Sequence, residues 1–116
     1  MQTIPAISWG EFGRWLLRQR QRVRVQGESM LPTLRHGDEL LVDPRAYQHD
    51  AIQPGDIVLV RHPFRTDITP IKRVLAVLDD GRCDLRGDNP AASEDSRAYG
   101  PLPAAHIVGR VTCRFA

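Results

Sequence analysis

Two residues in this chain could together carry out acyl-transfer chemistry if the fold brought them within reach, Ser29 and Lys72. Ser29 stands in Gly27-Glu28-Ser29-Met30-Leu31-Pro32-Thr33, where a glycine ends a strand-like stretch and a proline imposes a bend. A serine at such a corner can be lifted from a sheet with its backbone N–H aimed at a substrate carbonyl. Taken alone, a serine in such a place is more often a turn residue bonded to its own backbone. Lys72 lies in Ile71–Leu78, where strand alternation puts Lys72, Val74, Ala76 and Leu78 on one face and Ile71, Leu75 and Val77 with Arg73 on the other. Both faces are largely apolar, so the pattern predicts a strand covered on both sides and a partly desolvated amine.

Desolvation disfavours the ammonium form, by roughly 3–5 pKa units at full burial. A fall of about 2–3 units from the ordinary lysine value makes a general base near neutral pH. Arginine cannot serve, because its guanidinium stays protonated. The chain has 16 basic residues, and Lys72 is its only lysine. The competing possibility is an edge lysine whose stem packs while its head reaches water; residue types alone leave the two open. A third cluster, Gly87-Asp88-Asn89 followed by Ser93-Glu94-Asp95-Ser96-Arg97, could orient such an amine. Ser93 is placed to hold it and Asp95 to pair with Arg97, although Asn, Asp and Ser in loops often bond only their own backbone.

These residues need a scaffold, and the hydrophobic pattern supplies a mainly β one. Period-two or continuous apolar runs predict strands over 22–26, 39–42, 57–61, 71–78, 82–86 and 107–115, with Asp79-Asp80-Gly81 as a hairpin turn. Residues 44–53 and 87–103 have loop chemistry. Ser8-Trp9-Gly10-Glu11 fits a capping box opening an amphipathic helix over 9–20. That helix is read as a cap on the domain; peripheral contact with an anionic membrane through Trp9, Trp15 and the arginines is the alternative. The expected organisation is an N-terminal arm, 1–21, and a single domain, 22–116.

A chain of 116 residues suits one domain, and 41% hydrophobic with 26% charged residues is ordinary for a globular one. Residues 1–24 carry a balance of +4 and the rest −2, so the overall +2 belongs to the arm and the body is no nucleic-acid platform. No apolar run approaches the roughly 18 residues of a membrane span, and no secretion signal is evident, so a soluble cytoplasmic protein without a transmembrane anchor is expected. Cys83 and Cys113 have no metal-ligand spacing, and no metal or other cofactor is expected. His36, His49, His62 and His106 are scattered and are read as ordinary surface or loop residues.

In these residues the sequence resembles the signal peptidase I family of serine proteases, which use a Ser–Lys dyad. Gly27–Leu34 resembles its nucleophile motif and Lys72-Arg73-Val74 its general-base motif. Gly87-Asp88-Asn89 through Ser93–Arg97 and Gly100 to Ile107-Val108-Gly109-Arg110 resembles its C-terminal motif, and Pro54–Val58 a lesser one. The motifs occur in the family's order over residues 25–110. The resemblance implies a core of short, coiled antiparallel sheets, with Ser29 as nucleophile and Lys72 as its base. Ser93, Asp95 and Arg97 would support the site, and Met30 and Pro32 would border the substrate. Some relatives have a hydroxyl two positions before the nucleophile as an oxyanion donor; here that position is Gly27.

The nearest resemblance within the family is to the nickel-type superoxide dismutase maturation protease. It implies a protein substrate with a flexible N-terminal propeptide, a nickel superoxide dismutase precursor. Two alternatives differ in kind: a repressor-type Ser–Lys autoprotease, and a non-enzymatic module that binds anionic surfaces through the Arg-rich arm.

Overall fold

The apolar runs become six strands in a computed structural model that describes residues 4–115, which leaves residues 1–3 of the expected arm and Ala116 of the expected domain outside the described residues. The strands are β1 (Gln21–Arg24), β2 (Glu39–Asp43), β3 (Ile57–Val60), β4 (Ile71–Val77), β5 (Cys83–Arg86) and β6 (Ile107–Arg114). They form one antiparallel sheet in the order β1-β2-β6-β3-β4-β5. The mainly β architecture expected from the sequence is present.

Three register shifts interrupt the ladders, at Leu41/Val42, Leu59/Val60 and Val74/Ala76. Such irregularities bend strands and increase their twist, so the sheet coils and covers apolar side chains on both faces. Val25, Met30, Leu34, Leu40, Ile57 and Ile71 belong to one buried cluster; Val58, Val60, Val74, Leu85 and Leu102 belong to the other. The wholly apolar β3 divides its side chains between the two, as period two requires.

β4 departs from the expected cover. It pairs with β3 only through Ile71, Lys72 and Arg73, and beyond that point it continues with β5 as a hairpin arm. Leu75 and Val77 are therefore exposed, while Ile71, Lys72 and Val74 are buried. The half of the strand that carries the lysine is the covered half.

Helix α1 (Trp9–Leu16) starts where the capping box places it, with the Glu11 N–H donating to Ser8 Oγ at 3.1 Å. It ends four residues earlier than the periodicity suggests, because Arg18 adopts a left-handed backbone with φ 61° and the Arg20 guanidinium turns back to Glu11 at 2.9 Å. Trp15 meets the edge of Phe115 with ring centroids 4.7 Å apart, so the helix caps one end of the sheet while Trp9, Leu16 and Leu17 face outward. Two short helices lie in the expected loops, α2 (Ala46–His49) and α3 (Ser96–Tyr99). Cys83 and Cys113 are free and buried.

Candidate active site

Ser29 sits on the turn that follows β1. Gly27 enters it with φ 78°, in the left-handed region that glycine tolerates best, and its N–H donates to His36 Nδ1 at 2.9 Å. Met30 is buried in the core and pins the next residue, with its carbonyl accepting from the Leu34 N–H at 2.9 Å. Ser29 itself is half-buried, and Pro32 is exposed.

The Gly87-Asp88-Asn89 turn holds this segment from the other side. The Asn89 N–H donates to the Ser29 carbonyl at 2.8 Å, and Asn89 Nδ2 donates to the Glu28 carbonyl at 3.1 Å. Asp88 accepts from Arg73 Nε at 2.8 Å and Nη2 at 2.9 Å, and from Thr33 Oγ1 at 2.5 Å. One carboxylate thus ties the serine turn to the residue beside Lys72. Burial alone would raise the Asp88 carboxyl, but the bonds from Arg73 and Thr33 outweigh it and hold the group below the usual carboxylate range. Sequence reasoning placed Asp88 in a motif and Arg73 on the far face of the strand. It did not identify their ion pair, which spans 15 residues.

Lys72 is only 3% exposed, and its Nζ donates to Ser93 Oγ at 3.1 Å. Burial lowers its pKa from 10.5; the negative charges of Asp95 and Glu94 pull upward, while the Arg97 charge lowers it further. The direction is set by desolvation, as for a buried amine without a directly bonded carboxylate. Asp95 is buried, accepting from the Gly87 N–H at 2.9 Å, the Arg97 N–H at 3.0 Å and Arg97 Nε at 2.9 Å, and pairing with Arg97 Nη2. Burial would raise this carboxyl too; the bonds from Arg97, Gly87 and Ser93 overcome it and hold the group far below its ordinary value.

Among the described residues no hydrogen bond joins Ser29 Oγ to Lys72 Nζ, whose bond goes to Ser93. The two enter one neighbourhood through Gly87. A Cβ built on that glycine would lie 2.6 Å from the Ser29 carbonyl oxygen and 2.0 Å from Ser93 Oγ. The structure thus gathers Ser29, Lys72, Ser93, Asp95 and Arg97 around one turn. Met30 is buried and lines a small cleft with Ser29, whereas the exposed Gly27 and Pro32 are not among the residues lining that cleft.

A small cleft of about 50 Å³ opens at Ser29, between Gln26 and Pro70. It shares Arg24, Gln26, Thr69 and Pro70 with a groove of about 600 Å³ that also takes in Val23 and Ile68. Among the described residues no strand pairs with the outer edge of β1, and Val23 and Arg24 of that strand line the groove. No group of His, Cys, Asp and Glu able to hold a metal is found among the described residues. One assignment needs correction. His62 is no surface residue: it is 3% exposed and bonded to Glu94 at 2.5 Å.

Against known proteins, the signal peptidase, peptidase S26 family pattern matches residues 16–81 and 77–116. The chain belongs to that family. It is 35% identical over 111 residues to mitochondrial inner membrane protease subunit 1 of Xenopus tropicalis, covering 79% of this chain and 66% of that protein. The human subunit 1 is 32% identical over 108 residues, covering 77% and 65%. A probable signal peptidase I of Synechocystis is 27% identical over 134 residues, covering 78% and 68%. The chain thus spans about two thirds of the length of these relatives. Among the described residues no helix is long and apolar enough to cross a membrane.

Proposed function

We propose that this chain is a serine endopeptidase in which Ser29 is the nucleophile and Lys72 its general base, removing the N-terminal propeptide of a nickel superoxide dismutase precursor in the cytoplasm. Residues 22–116 act as the catalytic domain and 1–21 as an arm. The observation that carries the dyad is the burial of the chain's only lysine, at 3% exposure, with its amine 3.1 Å from a serine hydroxyl instead of a carboxylate. Such an amine loses its proton more readily than one in water.

In the reaction, neutral Lys72 Nζ takes the Ser29 hydroxyl proton as Oγ attacks the scissile carbonyl. The resulting ammonium protonates the leaving amine, and the acyl-enzyme forms. Lys72 then takes a proton from water as the water attacks the acyl carbon, and hands that proton to Ser29 Oγ as the acid is released, which restores the amine and the hydroxyl. The Ser29 N–H has no partner among the described residues and is available to the oxyanion. One preorganised donor is worth about 3–4 kcal/mol in related chemistry. The Gly27 N–H is committed to His36, which leaves Gly27 the role of shaping the turn. Ser93 holds the amine, and the Asp95–Arg97 pair braces the loop. An extended propeptide suits the groove along the unpaired edge of β1, where main-chain pairing gives affinity and the small cleft at Ser29 restricts side-chain size.

The test uses the purified full chain with a nickel superoxide dismutase precursor, read by mass spectrometry. Wild type should cleave it, and Ser29→Ala and Lys72→Met should each abolish cleavage while remaining folded. Cleavage retained in either variant refutes the dyad. Wild type that leaves this precursor intact but cleaves a signal-peptide substrate refutes the substrate alone.

A further inference from the structure

The histidine that sequence reasoning set aside is among the most tightly held side chains near the site. His62 follows β3 at the start of the segment that leads to the groove wall at Asp67–Pro70. Its Nδ1 accepts from the backbone N–H of Phe64 at 3.1 Å and of Arg65 at 2.9 Å. A ring nitrogen that accepts carries no proton, so the ring proton is on Nε2, which donates to Glu94 Oε1 at 2.5 Å. Tyr99 of α3 meets the imidazole edge-on, with centroids 5.5 Å apart. Burial, and then Asp95 and Glu94, push the Tyr99 hydroxyl up to about 12, so Tyr99 is an uncharged wall for the ring.

Glu94 is the residue next to Ser93, the partner of Lys72. Its carboxylate is more than half exposed, so a long acidic side chain would ordinarily move freely in water. Here a buried imidazole fixes it. The groups acting on Lys72 are Asp95, Arg97 and Glu94, and Glu94 is fixed by a residue 32 positions away.

We propose that the His62–Glu94 bond is a positioning clasp for the general base: it fastens the backbone at Ser93 to the root of the groove wall and so keeps Ser93 Oγ facing Lys72 Nζ. His62 and Glu94 are positioning residues, since neither touches Lys72 through a hydrogen bond. The consequence for substrate follows from the connectivity, because the same His62 backbone begins the segment that lines the groove. The clasp rests on the reading of Lys72 as the base, and it can be tested apart from it.

Because Lys72 is the only lysine, a chain labelled with ¹³C and ¹⁵N at lysine ε positions gives one side-chain signal. Titrating that signal needs no substrate. Glu94→Ala frees Ser93; it should move the Lys72 titration midpoint away from that of Glu94→Gln, which loses the same charge, and lower kcat by about 10- to 100-fold, the scale of a misplacement of roughly 1 Å. Glu94→Gln keeps an oxygen for His62 Nε2–H but removes the negative charge that favours the ammonium. It should retain kcat at the plateau while moving the midpoint, and the ascending limb of the pH–rate profile, to lower pH by a few tenths of a unit. His62→Ala should lower kcat as Glu94→Ala does; should it fail to fold, the two Glu94 variants, at an exposed position, still decide.

A merely structural role would change the melting temperature of Glu94→Ala while leaving its Lys72 midpoint where Glu94→Gln has it, and that result overturns the proposal. So does a wild-type kcat in Glu94→Ala. If Ser29→Ala retains cleavage, the dyad fails, yet the Lys72 titration still reports whether the clasp sets the lysine's environment.

Discussion

Gly87→Ala tests the packing of the site with a single added carbon. Gly87 does not have a left-handed backbone, so alanine brings no dihedral strain, and the effect is steric. The new Cβ would lie 2.0 Å from Ser93 Oγ, 2.8 Å from Ser93 Cβ and 2.6 Å from the Ser29 carbonyl oxygen, against ordinary contacts that begin at 3.4 Å. Rotation of the Ser93 hydroxyl removes the first clash but breaks its 3.1 Å bond to Lys72. The clash with Ser29 is harder to relieve, because that carbonyl is backbone and accepts from the Asn89 N–H. Both Ser93, the partner of Lys72, and the turn that carries Ser29 must shift, by roughly 1 Å, a scale that costs an enzyme on the order of 100-fold in rate. Overpacking of this kind also costs about 1–3 kcal/mol of stability. The assay is kcat/KM on a peptide spanning the propeptide junction, measured well below the melting temperature of the variant. A kcat/KM within about threefold of wild type, with an unchanged melting temperature, would refute the close approach of Ser29, Gly87 and Ser93.

Three further outcomes follow. Lys72→Arg has a guanidinium that stays protonated and so cannot accept a proton; it should lose activity about as completely as Lys72→Met at every pH from neutral to mildly alkaline, and an active arginine variant contradicts proton transfer by Lys72. Lys72→Met should also be more stable than wild type at neutral pH. The folded-state pKa is lowered, so the unfolded chain binds the proton more tightly, and the wild-type penalty is full below the folded value and fades as pH rises towards 10.5. Each unit of lowering is worth about 1.4 kcal/mol, and urea melts that show no gap, or one that widens with pH, would count against a buried amine. Asp95→Asn gives up charge-assisted bonds to Arg97 and Gly87 and should cost about 2–3 kcal/mol at neutral pH. The Asp95 carboxyl is held far below its ordinary value of 3.8, so its contribution is present above that value and lost as pH falls towards the folded one. The variant should therefore be less acid-sensitive than wild type, as melts at pH 7 and pH 3 would reveal.

The strands were legible because their apolar residues follow period two or, as in β3, run without a break, and Lys72 stood out because its neighbours on both faces are apolar. Cover on both faces was overestimated for the rest of β4. Where β3 stops pairing is a matter of register, and no local pattern in Leu75–Val77 encodes it. The helix start could be read from a four-residue cap, whereas its end depends on Arg20 folding back to Glu11 across nine residues. His62 was missed for a similar reason. It stands between Arg61 and Pro63 in a polar-looking segment, and its partner Glu94 is 32 residues away. Tertiary packing alone buries it. Asp88 was found as part of a motif, but its work as the tie between Thr33 and Arg73 became visible only with the chain folded.

The central claim is that the Lys72 amine gives up its proton inside the folded protein. Its most direct measurement is the titration of the single lysine ε signal in the wild-type full chain, followed from neutral to strongly alkaline pH and compared with the urea-unfolded chain. The folded protein should titrate below the ordinary value of 10.5, with the unfolded chain returning to it. A folded-state midpoint at or above the unfolded one would mean an ammonium held charged at Lys72, and the Ser29–Lys72 mechanism could not stand.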